Sequence, residues 1–306
     1  MDVLLARPRG FCAGVNRAIT IVNQALARYA PPVYVLHEIV HNTHVLDALR
    51  GRGAVFVEEL EEIPAGAVAI FSAHGVSRAV ADQANALGLR TIDATCPLVS
   101  KVHRRMISLH RRGHDVIVIG HKGHPEVEGT CGQAEGPVHL VSKPSEVASL
   151  QTANPSRIGY VTQTTLSVDD TKGMVEAIRR RFPAVAEPER TDICYATTNR
   201  QLSVRRLADQ VDLVLIVGSK NSSNSNRLRE VAESRQRRAY LIDDSNEIDP
   251  RWLEGVKRVG IGAGASAPEH LVVEVVDWLR LHGACSVEEM GCEEEHISFL
   301  VPDFVV

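Results

Sequence analysis

VIVIGHKGHPE, residues 116–126, is the stretch whose reading decides the fold. A short run of β-branched apolar residues breaks into glycines, histidines and a carboxylate, as a buried strand does where it ends in a polar turn. The same design stands at VYVLHEIVHN (33–42) and at LVLIVGSKNSSNSN (213–226). A second set of strand-and-turn segments follows each of these, namely VAIFSAHGVS (68–77), IGYVTQTTLS (158–167) and VGIGAGASAP (259–268). Helical spacing fills the intervals. It is clear at Val15, Ala18, Ile19, Val22, Ala25, Leu26 and Tyr29, and at Val99, Val102, Met106 and Leu109, and looser at Val204, Leu207, Ala208 and Val211. Continuous apolar strands alternating with helices predict parallel sheets covered by helices.

One cysteine precedes each copy: Cys12 in GFCAGV, Cys96 in ATCPLV and Cys194 in DICYATTN. The chain therefore reads as three similar small α/β units, 1–95, 96–191 and 192–281, around a pseudo-threefold axis. A tail, 282–306, lies outside the repeat, and its HISFLVP segment reads as a strand that pairs on an edge or closes over the centre.

In parallel α/β sheets, ligands bind beyond the carboxyl ends of the strands. The repeat places two sets of polar residues there, at nearly equal distances past each unit's cysteine. The first is His41, His124 and the Ser222–Ser223–Asn224 group, and the second is His74, Thr164 and Ser266. Imidazoles, hydroxyls and a carboxamide among glycines suit phosphate oxygens better than an apolar ligand. Ser266 also heads S-A-P-E, which reads as a capping box with Glu269. Glu126 lies two residues past His124. A carboxyl shielded from water there would have a raised pKa and could donate a proton. Glu128 is its competitor, and Thr164 could orient the proton.

Cys12 and Cys96 directly precede helical patterns, and Pro97 takes a favoured first-turn position. A helix N-terminus favours the thiolate, the form that binds metal. Three thiolates with no obvious fourth ligand fit an iron–sulfur cluster with one iron open. A Cys3His zinc site remains the alternative, although the short C-x-x-C pairs of structural zinc are missing. Cys131, Cys285 and Cys292 sit off the repeat and read as structural.

Composition agrees with this reading and narrows the class. The chain has 306 residues, 44% of them hydrophobic and 24% charged, with net charge −4. That is ordinary for a chain with a real core and gives no global sign of nucleic acid or membrane. The basic runs RRMISLHRR (104–112) and SRQRR (234–238) read first as solvated helix faces. No stretch approaches the ~20 apolar residues of a membrane span. The start lacks a signal-peptide layout, and sparse cysteines suit a reducing cytoplasm. No G-x-G-x-x-G opens a helix after a strand, which argues against direct dinucleotide binding.

GFCAGV, HEIVHN, SAHGV, ATCPLV, GHKGHPEVEGT, TQTTLSVDDT, DICYATTNRQ, GSKNSSNSNRL and AGASAP together resemble the 4-hydroxy-3-methylbut-2-enyl diphosphate reductase (LytB/IspH) family, in order from about residue 3 to about 281. The resemblance implies reductive dehydroxylation of the hydroxymethylbutenyl diphosphate to isopentenyl and dimethylallyl diphosphate, the last step of the non-mevalonate isoprenoid pathway. It implies a 4Fe-4S cluster on Cys12, Cys96 and Cys194. It implies diphosphate contacts at His41, His74, His124, Ser222, Ser223, Asn224 and Ser266, and it implies Glu126 as proton relay with Thr164 beside it. A ferredoxin or flavodoxin, fed ultimately by NADPH, is the electron donor it implies. The competing readings are a non-redox iron–sulfur hydratase or dehydratase, a cluster-containing phosphate-binding regulator, and a structural zinc protein.

Overall fold

The computed structural model describes residues 1–291 and 295–302. The fold is α/β, built on three sheets in which every strand pairing is parallel. Contacts divide the chain into two compact units. The first comprises Met1–Asn16, His41–Asp47 and Tyr195–Ser298, and the second Arg17–Val40, Ala48–Cys194 and Phe299–Val306.

The first unit holds a five-stranded sheet. Its strands are β1 (Asp2–Leu5), β9 (Leu213–Val217), β10 (Arg238–Ile242), β11 (Arg258–Ala263) and β12 (Ser286–Glu289), in the order β10-β9-β11-β1-β12. All of β9 is buried, and its residues alternate between two cores. Leu213, Leu215 and Val217 meet helix α10 (Glu269–Leu281), while Val214 and Ile216 meet α8 (Tyr195–Ala208) and α9 (Ser223–Ser234). Burial on both faces is why the strand reads as an unbroken apolar run.

The second unit holds two sheets. One has the order β3-β2-β4-β5, from β2 (Val33–Leu36), β3 (Ala54–Val57), β4 (Val68–Phe71) and β5 (Arg90–Asp93). The other has the order β7-β6-β8, from β6 (Asp115–Ile119), β7 (Val138–Val141) and β8 (Ile158–Thr162). In the latter, α4 (Pro97–Arg111) covers one face through Val102, Met106 and Leu109. Helix α7 (Val168–Arg181) covers the other through Met174, Ala177 and Ile178.

The three sheets share a core order, β3-β2-β4, β7-β6-β8 and β10-β9-β11. The sequence reading took in the last two strands of each order but not the first. β7 and β10 carry polar residues, His139 and Arg238, that interrupt the apolar run, while β3 is wholly apolar at AVFV. The repeat also governs helix packing. A Cβ on Gly159 of β8 would lie 2.7 Å from the Leu109 side chain of α4, and one on Gly260 of β11 would lie 2.8 Å from Leu207 of α8. In both sheets a strand glycine lets the helix that follows a cysteine sit close.

The edge strand of the tail lies at Ser286–Glu289, paired on β1. HISFLVP, expected as a strand, forms none in its described residues 296–302. The free edge of β1 is already taken by β12. The Leu300 carbonyl of that segment accepts a hydrogen bond from the Arg17 guanidinium at 2.9 Å instead of joining a ladder. The SRQRR and RRMISLHRR runs are partly tied down. Arg235 pairs with Asp209, and Arg105 reaches the Tyr160 and Ala186 carbonyls.

Candidate functional site

All three repeat cysteines are pinned by one kind of bond. The Cys96 N–H donates to the Ala73 carbonyl at 3.0 Å, Cys12 to Ala265 at 3.1 Å and Cys194 to Thr164 at 3.1 Å. Each acceptor lies two residues past the end of a strand, β4, β11 and β8 respectively. The chain reaches these places because the segment before each cysteine pairs with that same strand. β5 lies on β4, β1 lies on β11, and Ala186 bridges Gly159 of β8. Since every strand is parallel, each cysteine emerges at a carboxyl edge.

Each cysteine also stands at a helix start. The Cys12 carbonyl accepts from Asn16 N–H at 2.9 Å, opening α1 (Ala13–Tyr29), and the Val15 N–H donates to its Sγ at 3.5 Å. Cys96 is the N-cap of α4, with Pro97 in the first turn. Cys194 directly precedes α8. None of the three is in a disulfide, and all are half-buried. Among the described residues, no group of three or more His, Cys, Asp or Glu side chains is gathered in a form that holds a metal ion. The donor set itself fits an iron–sulfur group: three thiols outside any disulfide, each at a helix N-terminus and partly accessible, with a backbone N–H at the Cys12 sulfur. Cys131 is half-buried, its thiol pushed up by burial and then by the Glu128 charge, and Cys285 is exposed. Cys292 lies outside the described residues.

In the second unit, Glu126 is the second residue of α5 (Pro125–Cys131) and is 2% exposed. Its carboxylate accepts the Thr164 N–H at 2.6 Å and the Thr164 hydroxyl at 3.0 Å. Burial pushes its pKa up to about 7, against the Thr164 hydrogen bonds, which pull it down, and with a further push from the Asp192 charge. Glu128, the competing carboxylate, is exposed. His124 is the N-cap of α5, its Nδ1 accepting from the Glu126 N–H at 3.1 Å. The His124 ring meets His74 edge-on at 5.7 Å, and His74 Nδ1 lies 3.3 Å from the Ser72 hydroxyl. The structure thus brings Glu126, Thr164 and Cys194 into one bonded chain, with His74 and His124 in contact and Cys96 anchored at the residue before His74.

In the first unit, Ser222 is the N-cap of α9. Its hydroxyl accepts from Ser225 N–H at 3.3 Å and from the Ser225 hydroxyl at 3.0 Å. Ser223 follows, half-buried. Asn224 is 5% exposed, and neither its Nδ2 nor its Oδ1 has a hydrogen-bond partner. A buried amide with both ends unmet is rare and costly unless a ligand completes it. The Ser266 hydroxyl donates to the His41 carbonyl at 2.8 Å, and Ser219 accepts the Thr43 N–H at 3.2 Å. These bonds fasten the His41 segment to the turns after β11 and β9. The capping box expected at Ser266 does not form, because α10 starts at Glu269 with Pro268 as its N-cap.

Three residues at these places carry no mark in the sequence pattern. Asp192 has a fully buried side chain, accepts the Thr162 N–H at 3.2 Å and has its carboxyl pushed up by burial. Tyr195 accepts the Ala13 N–H at 3.1 Å, and burial pushes its phenol up to about 12. Arg200 is 1% exposed. The signal for the last two was the loose helical spacing of α8. Thr197, Arg200, Gln201 and Ser203 are buried there beside Val204 and Leu207, so the helix has no clean polar face.

By its fold this is a protein of parallel α/β sheets with its chemistry collected at strand ends, the class that binds and transforms small ligands at that edge. Comparison with known proteins is more specific. Residues 3–280 match the family described as LytB protein, and the chain belongs to that family. A 4-hydroxy-3-methylbut-2-enyl diphosphate reductase of Bordetella pertussis is 58% identical over 301 residues, covering 98% of this chain and 93% of the relative. The solved structure of the E-1-hydroxy-2-methyl-but-2-enyl-4-diphosphate reductase from Plasmodium falciparum is 36% identical and superposes with a TM-score of 0.92, covering 98% of this chain and 95% of that one. A second solved structure is that of an (E)-4-hydroxy-3-methyl-but-2-enyl diphosphate reductase described as the terminal enzyme of the non-mevalonate pathway. It is 35% identical with a TM-score of 0.66, covering 92% of this chain and all of that one (100%). Membership of the family implies an iron–sulfur cofactor. No helix among the described residues is long and apolar enough to cross a membrane.

Proposed function

We propose that this chain reduces (E)-4-hydroxy-3-methylbut-2-enyl diphosphate to isopentenyl and dimethylallyl diphosphate, the terminal reaction of the non-mevalonate pathway, in the cytoplasm. The observation that carries the reading is the common tether of Cys12, Cys96 and Cys194 to turns past three equivalent strands. One tether acceptor, Thr164, also holds the buried Glu126. In this reading the three cysteines hold a 4Fe-4S cluster with one iron left open. When bound, the cluster supplies two electrons and a Lewis-acidic iron for the substrate's hydroxyl.

The remaining chemistry belongs to the chain's own residues. The C–O bond breaks and the hydroxyl leaves as water, which needs one proton. A second proton completes a new C–H bond on the allyl fragment. Glu126, with its pKa near 7, is half-protonated close to neutral pH and supplies the proton for water loss. The Thr164 hydroxyl and N–H fix the carboxyl's orientation and hold its pKa below what burial alone would give. His41, His74, His124, Ser222, Ser223, Asn224 and Ser266 hold the diphosphate, the unmet Asn224 Nδ2 being a donor that a phosphate oxygen accepts from. Binding energy from that remote group fixes the reacting end in place. Electrons arrive from a ferredoxin or flavodoxin.

Mössbauer spectroscopy of anaerobic, iron-57-labelled protein tests the reading. Three similar irons and one distinct iron, with substrate shifting the distinct signal, is the expected result, and protein without iron overturns it. Turnover that persists without reductant would replace the reductase with a hydratase or dehydratase.

A further inference from the structure

We propose that Arg200 and Glu295 form a latch by which the C-terminal segment positions the Cys12 turn. The inference rests on the reading of Cys12 as a cluster ligand. Arg200 lies in the interior of α8 and its side chain is 1% exposed. An arginine keeps its charge in any protein environment, so a guanidinium at this depth must have every donor met. Its bonds run to one place. Nε donates to the Gly10 carbonyl at 3.0 Å, and a terminal nitrogen donates to the Phe11 carbonyl at 3.3 Å. Those are the two residues before Cys12. The other terminal nitrogen donates to Ala196, one turn back on α8, at 3.1 Å.

The same nitrogen meets both oxygens of Glu295 at 3.2 Å. Glu295 is the one carboxylate paired with Arg200 among the described residues, and Asn199 also donates to it at 2.9 Å. It lies beyond the repeat, in the tail.

Just before the turn that this latch grips, Arg9 pairs with Glu269 and Glu289, and the latch holds the two residues that follow. Gly10 is held at φ +67°, a left-handed conformation that needs glycine, and a Cβ there would sit 3.2 Å from the Ala267 carbonyl. The two backbone bonds of the turn to the β11 end are Gly10 N–H to Ala263 at 3.3 Å and Cys12 N–H to Ala265 at 3.1 Å. On the far side of Cys12, Tyr195 takes the Ala13 N–H. α8 therefore grips the turn on both sides of the cysteine, through Arg200 before it and Tyr195 after it. Removing Glu295 leaves a buried cation without its counter-charge. Arg200 then gains more by swinging toward water than by holding Gly10 and Phe11. Arg200 is a positioning residue here, and the tail is the element that keeps it in position.

The test uses Glu295→Ala and the milder Asn199→Ala in the full-length chain. In the metal-free chain, alkylation is followed at each thiol by mass spectrometry, with Cys96 in the second unit as internal control. Loss of a supporting partner of a metal ligand commonly costs 10–100-fold, so alkylation of Cys12 should rise about 10-fold in Glu295→Ala with Cys96 unchanged. A smaller rise of the same selectivity is expected in Asn199→Ala. In the holoenzyme, iron transfer to a chelator should quicken by about the same factor, and the electron paramagnetic resonance lines of the reduced cluster should move. Equal acceleration at Cys12 and Cys96 would mean general loosening and would overturn the latch, as would no change at either. Wild-type protein that binds no iron would overturn the ligand reading of Cys12 instead, and the alkylation ratio would then decide the latch alone.

Discussion

The turn after β6 and the turn after β9 occupy the same station in two sheets and are finished in opposite ways. Both lead from the first central strand into a helix whose N-cap side chain accepts one of the helix's own N–H groups, His124 in α5 and Ser222 in α9. Both then bury a polar residue two positions on. In α5 that residue is Glu126, whose two oxygens are met by Thr164. In α9 it is Asn224, whose amide is met by nothing. A group satisfied inside the protein is held ready to change protonation state. A buried amide with no partner is kept for something from outside. One backbone plan thus serves proton transfer in one copy and ligand binding in the other, and the side chain at a single position decides which.

The largest test of that contrast is Glu126→Gln. It should lower the turnover rate by at least about 10²-fold while leaving substrate affinity nearly intact. A rate near wild type would remove the carboxyl from the reaction. The same variant has a signature in stability. The Glu126 pKa rises from the model-compound 4.5 to about 7 on folding, so between those values the folded chain binds more protons than the unfolded one. Stability from this group is full below pH 4.5 and declines as pH rises to about 7, by roughly 3 kcal/mol in all. Denaturant titrations from pH 4.5 to 7 should show that slope in wild type and lose it in Glu126→Gln.

Asn224→Ala comes next. It removes an unmet amide and no internal bond, so it should raise KM about 10-fold through one lost bond to a charged group, with kcat and folding stability little changed. A drop in kcat at constant KM would place Asn224 with the reacting end instead. Thr164→Val is the smallest change. Its hydroxyl bond lowers the Glu126 pKa, so its loss should move the limb of the kcat/KM profile set by Glu126 upward by about one pH unit. An unmoved limb would mean that the observed titration belongs to another group.

Much of this was legible in the chain before it was folded. The strands β2, β4, β6, β8, β9 and β11 announce themselves as apolar runs because their faces are covered. The polar residues at their ends are legible because a parallel sheet delivers side chains there. The outer strands β7 and β10 escaped because edge positions need not be apolar, whereas β3 is a wholly apolar AVFV that the reading passed over. The S-A-P-E cap at Ser266 failed because the helix starts later, at Glu269 with Pro268 as its N-cap, while the Ser266 hydroxyl donates to the His41 carbonyl. The choice between Glu126 and Glu128 came from the resemblance and not from local spacing. The two lie two residues apart, on nearly opposite sides of a short helix, and packing buries the first and exposes the second.

The sequence by itself determined the repeat, the parallel α/β class, the family and the residue types at each strand end. Those follow from local apolar periodicity and from strings long enough to be specific. Tertiary structure alone decided which groups are paired. The Glu126 pair with Thr164, the three cysteine tethers and the bonds of the buried Arg200 join residues from different elements of the chain, and the Asn224 amide is left unmet by all of them. Burial and hydrogen-bond partnership are properties of the packed state, set by what surrounds a group in space rather than by its neighbours in sequence.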